Sequence, residues 1–166
     1  MAKSALSTIG RAAKMATIGA VKTAGDVAEA VVGAVRDVLL TTVDGAAQVA
    51  VALEQGAAKV VRGAIHAVSD TGQDVGVVAK SAVRGTIKAA NEVGGDLGKT
   101  AVAATEAAVK GAEEIGADTG EALKHAVTGA VEAAGEISED AAKTVSDALV
   151  TSVKGAKDVI KAPFKK

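Results

Sequence analysis

The sequence predicts an all-α protein made of one or a few long amphipathic helices, hinged or folded back near Gly94–Gly95 and lacking a compact globular core. Three observations predict it. Written in rows of 22, the chain aligns with itself seven times, from Ala13, Val35, Ala57, Ala79, Ala101, Leu123 and Val145. Twenty-two is two elevens, and eleven residues make three helical turns at about 3.67 residues per turn. Composition is the third observation: Ala, Val and Gly dominate, there is one aromatic residue (Phe164), one Pro and no Cys. Cores usually draw on large side chains, each contributing roughly 1.5–3 kcal/mol on burial. Small ones spread their stabilisation over a long interface instead.

The chain divides into a basic lead-in at 1–12, helical repeats over 13–162 with a break at 94–98, and a basic tail at 163–166. The first 25 residues hold Lys3, Arg11, Lys14 and Lys22 and no acid, superficially like a transit peptide. The repeat starting at Ala13 argues against cleavage there. Within each row the ninth place is always Val or Ile: Val21, Val43, Ile65, Ile87, Val109, Val131 and Val153. The fourteenth is Asp26, Gln48, Asp70, Glu92, Glu114, Glu136 and Asp158.

On a helix, Ala79, Ala82, Val83, Thr86, Ile87, Ala90, Val93 and Leu97 share one arc, opposite Lys80, Arg84, Lys88 and Glu92. Alternation at period two, the mark of strands, is absent. The expected contact stripe comprises Val21, Val43, Ile65, Val83, Ile87, Val93, Leu97, Val109, Ile115, Val131, Ile137, Val153 and Val159. Nineteen glycines weaken an isolated helix, each by up to about 1 kcal/mol relative to Ala. Folding conditional on a surface or partner is therefore expected.

Some glycines look placed. Gly72 to Gly76, Gly94–Gly95 to Gly98, and Gly116 to Gly120 recur in register around Asp74, Asp96 and Asp118. Each Gly stands where a helix could end and each Asp where the next could be capped. These seven glycines are the candidate hinge. Pro163 ends the last helix, ahead of Phe164 and two lysines.

Charge is uneven. Residues 1–36 carry +3, 37–103 carry −1, 104–147 carry −7 and 148–166 carry +4, for a total of −1. The longest stretch without a charged side chain, Gly45 to Leu53, is far short of the ~20 residues of a membrane-spanning helix. No secretory signal is visible. Interleaved charges and missing aromatics argue against nucleic-acid binding.

No constellation suggests catalysis, a cofactor or a metal. Gly94-Gly-Asp-Leu-Gly-Lys-Thr100 resembles a phosphate-binding loop, but Val93 stands where its first glycine belongs and no strand precedes it. His66 and His125 lie on the polar arc without ligand spacing, and the adjacent Glu113–Glu114 and Glu139–Asp140 diverge around a helix.

The stretches Val77 to Ala90, Ala108 to Ile115 and Ser152 to Ile160 pair Ala/Val/Thr/Gly faces with Lys at the arc boundary and acids on the crest. In these the chain resembles the eleven-residue-repeat amphipathic proteins: synucleins, perilipins and, more distantly, exchangeable apolipoproteins and late-embryogenesis-abundant proteins. The likeness covers about 13–160; the K-T-K-E-G-V core of synucleins is absent. It implies reversible binding to a lipid surface with helix formed on contact. The expected function is thus non-enzymatic coating or remodelling of a lipid surface, self-association into an ordered assembly, or both. The expected partners are a vesicle, droplet or granule surface and copies of the chain itself. Alternatives are a lipid-independent helical filament, bundle or shell, and a desiccation-protective chain. The expected location is the cytoplasm or the periphery of an intracellular membrane or lipid body.

Overall fold

The computed structural model describes residues 7–23, 25–44 and 46–161, with side chains at 7–22, 25–44 and 46–160. Pro163, Phe164 and residues 1–6 of the basic lead-in lie outside the described residues. Eight α-helices follow one another: α1 Thr8–Thr23, α2 Val27–Val43, α3 Val49–Thr71, α4 Val75–Glu92, α5 Leu97–Glu114, α6 Thr119–Ile137, α7 Glu139–Ser152 and α8 Ala156–Lys161. This overturns the expected one or a few long helices with a single break near Gly94–Gly95. A 22-residue row is one helix plus one turn, not two elevens of unbroken helix.

The turns show why. Gly72, Gly94 and Gly116 have φ of +73°, +71° and +75°, the left-handed region that ends a helix. Behind the second and third, the next amide reaches back five residues, Gly95 N to Ala90 O and Ala117 N to Ala112 O, both at 2.8 Å. Two residues after each left-handed glycine an Asp opens the following helix. Asp74 accepts from the Gly76 amide at 2.7 Å, Asp96 from Lys99 at 2.9 Å and Asp118 from Glu121 at 3.0 Å. Gly-X-Asp is thus the repeating punctuation at 72–74, 94–96 and 116–118. Gly76, Gly98 and Gly120 are the second residues of α4, α5 and α6.

The helices form two layers, α1, α3, α5 and α7 in one and α2, α4, α6 and α8 in the other. Every helix touches its sequence neighbours across the layers and the helix two places away within its own layer. As far as α6, the next-but-one contacts are the more extensive. Small residues make this possible. A Cβ on Gly63 would lie 2.0 Å from the Gly10 carbonyl oxygen, and one on Gly85 or Gly129 2.7 Å from the carbonyl of Val32 or Lys80.

The expected contact stripe lies largely inside. Val43, Ile65, Val83, Ile87, Val131 and Val153 are buried; Val21, Val93, Leu97, Val109, Ile115 and Val159 are half-buried, and Ile137 is just exposed. On α4 burial runs almost all round, taking in Val78, Ala79, Ala82, Val83, Gly85, Thr86, Ile87, Ala89 and Ala90. A helix hemmed in by α2, α3, α5 and α6 has little of a single stripe left to offer. The surface confirms a compact packing: 7857 Å² is exposed, against about 7,400 Å² for a compact monomer of 16.1 kDa. The expected lack of a globular core is therefore also corrected. Among the described residues no helix is long and apolar enough to cross a membrane.

Candidate functional site

Ion pairs join different helices along the seams between next-but-one helices. Lys14 of α1 meets Asp70 of α3 at 3.1 Å. Arg36 of α2 grips Glu92 of α4 with two nitrogens, Nη2 to Oε1 at 2.8 Å and Nε to Oε2. Arg62 of α3 does the same to Glu114 of α5, at 2.7 and 2.5 Å. His66 adds its Nε2 to the same carboxylate at 2.7 Å. Arg84 of α4 donates to Glu136 of α6 at 2.7 Å, and Lys80 meets Glu132 at 3.2 Å.

The acceptors Asp70, Glu92, Glu114 and Glu136 stand 22 residues apart, at or next to the last residue of their helices. Their cations come from mid-helix, two helices earlier. Sequence reading found the acidic column and missed its partners. The signal was present as a recurring offset that steps once, by one helical turn: 56 residues for Lys14–Asp70 and Arg36–Glu92, then 52 for Arg62–Glu114 and Arg84–Glu136.

The hydrogen bond from Arg62 holds the Glu114 carboxyl below its ordinary value, with burial opposing and His66 assisting. Arg36 and Arg84 lower Glu92 and Glu136 in the same way. Bidentate guanidinium–carboxylate contacts are the strong, directional kind. They fix how far each helix slides along its neighbour.

Over α4, between α2 and α6, two adjoining open depressions of about 510 and 620 Å³ form a groove. Lys80, Arg84, Arg36, Glu92, Glu132 and Glu136 line it, and the ion pairs above neutralise most of that charge internally. Ser81 and His125 share the first depression, but no hydrogen bond joins them. His125 is held by Glu121 on its own helix at 3.1 Å and lies over Gly76, whose Cβ would sit 2.6 Å from its ring.

The chain is matched by no protein-family model and by no curated protein. Among solved structures it is similar to the crystal structure of a de novo designed helical repeat protein, DHR7. The identity is 21%, the TM-score 0.46, and the match covers 92% of this chain and 88% of that one.

The remaining sequence candidates fall into place locally. In the loop-like segment Gly94 to Thr100, the Asp96 carboxylate takes the Lys99 amide. The helix start that would cradle a phosphate is thereby filled by the chain's own acid. Glu113 is exposed, while Glu114 serves the ladder. Glu139 and Asp140 open α7 near its N-terminus, where acids favour the helix dipole. Among the described residues no three His, Asp or Glu side chains come together as a metal site.

Proposed function

We propose that the chain is a preformed, non-enzymatic helical-repeat scaffold. Its repeated apolar positions build its own interior, and its outer surface is offered to other macromolecules, copies of itself included. No cofactor or small-molecule substrate belongs to this reading. The observation that carries it is the fate of the invariant ninth place. Val43, Ile65, Ile87, Val131 and Val153 are buried against other helices of the same chain. Side chains used in this way are not available to lie on a lipid surface unless the layers come apart. The ion-pair ladder supports the same reading, because charges that satisfy one another stiffen a frame and leave little for catalysis.

Circular dichroism in buffer, with and without phosphatidylglycerol vesicles, tests this. A preformed scaffold gives its full helical signal and a cooperative melt without lipid, and vesicles add nothing. A weak signal in buffer that rises on adding vesicles would sink the reading in favour of a lipid-folded coat.

A further inference from the structure

Among the described residues α1 and α7 each keep a face that no other described helix covers. On α1, Gly10, Ala13 and Thr17 are buried against α2 and α3, while Thr8, Ala12, Met15 and Lys22 are exposed along the opposite side. Met15, at 64% exposure, is the most exposed large apolar side chain among the described residues. On α7, Ala141, Val145 and Leu149 are buried. Glu139, Asp140, Lys143, Asp147 and Val150 are exposed.

The two ends carry opposite charge, layer by layer. In one layer α1 has three cations and no acid, though Lys14 is already paired with Asp70, and α7 has three acids against one lysine. In the other, α2 has two acids against one arginine, and α8 has two lysines against one aspartate. In the layer of α1 and α7 the polarity is also the reverse of that within the chain, while in the layer of α2 and α8 it is the same. In the internal seams the earlier helix supplies the cation and the later one the acid. The next-to-last residue of α1 is Lys22, where α3 and α6 carry Asp70 and Glu136. In the layer of α1 and α7 the ends thus match each other and mismatch the internal seams, which is how charge selects one register over others.

We propose that copies of this chain associate head to tail, the α1–α2 end of one seating on the α7–α8 end of the next. The contact is heterologous, so it extends the two layers as a linear array. Met15 of one copy and Val150 of its neighbour supply the apolar centre, ringed by Lys22, Glu139 and Asp140. This inference rests on the scaffold reading, and the test below separates the two.

Sedimentation velocity of the full chain at rising concentration, in low salt, should show species at whole multiples of the monomer mass. In about 0.5 M salt, where the screening length is roughly 4 Å, they should shrink toward monomer. Met15→Asp and Val150→Asp each spoil one end at an exposed site and should be monomeric alone with unchanged circular dichroism. Mixed one to one, each still has one intact end, so they should form a species of two copies and nothing larger. A helical wild type that stays monomeric at every concentration overturns the proposal, as does either variant assembling like wild type or the mixture remaining monomeric. A chain without helix in buffer removes the scaffold reading, and this inference with it.

Discussion

At the scale of single residues, glycine does two opposite jobs in this chain. In α3, Gly63 lets the backbone of α1 approach so closely that a Cβ would lie 2.0 Å from the Gly10 carbonyl oxygen. In α2, a Cβ on Gly33 would meet nothing within 4 Å. Alanine favours a helix by up to about 1 kcal/mol at either site, but at Gly63 the clash is with backbone and no rotamer relieves it. Gly63→Ala should therefore cost about 1–3 kcal/mol, as overpacking does, while Gly33→Ala should stabilise by about 0.5–1 kcal/mol. Urea midpoints of the two variants should move in opposite directions; a shared direction would contradict the packing described. Glu114 supplies the pH dependence at this scale. Its folded-state carboxyl titrates below the ordinary 4.5 because Arg62 and His66 favour the charged form. The stability it contributes is complete above that ordinary value and is lost as pH falls through the folded one. Glu114→Gln removes this share, so the variant's urea midpoint should fall less steeply than wild type as pH drops below about 4.5. An unchanged slope would mean the Arg62–Glu114 contact does not persist in solution.

At the scale of elements, the turn decides the fold. Asp96 and Gly94 between them convert what would be continuous helix into a reversal. Asp96→Ala should lose about 1 kcal/mol, the usual worth of an N-cap, and Asp96→Asn should lose little. Equal losses in thermal melts would show that Asp96 acts otherwise than as a cap. These turns were legible in the sequence, since Gly72, Gly94 and Gly116 each precede an Asp by two residues. The helical class was legible too, from the missing period-two alternation. What misled was arithmetic and composition together. A 22-residue row fits two eleven-residue helical units as well as one helix of about 18 residues and a short turn. The glycines counted against an isolated helix turn out to serve close packing between helices. The acidic column also changes role along the chain. Asp26 and Gln48 precede α2 and α3 at the N-cap, whereas Asp70, Glu92, Glu114 and Glu136 close later helices. The change comes at α3, which at 23 residues is the longest of the eight and shifts α4, α5 and α6 by about one turn relative to the rows. The ladder's cations, two helices away, were invisible to any reading of one helix at a time.

At the scale of the whole molecule, many weak helices become a stiff body because each is covered by several others. No single side chain anchors the core: Ala and Val fill most of it, with Leu39, Leu53, Ile65, Ile87 and Leu149 the largest fully buried groups. Stability is spread over the seams, and the ion pairs set their register. The repeat folds back on itself at every turn, and overall dimensions distinguish this from an extended helix by a wide margin. Small-angle X-ray scattering at low concentration and about 0.5 M salt, chosen to screen exposed charges and hold single copies, measures them directly. A radius of gyration near the roughly 15 Å expected of a compact chain of 166 residues is the predicted result. A continuous helix of this chain would be roughly 250 Å long, with a radius of gyration of roughly 70 Å, and a value approaching that would contradict the account.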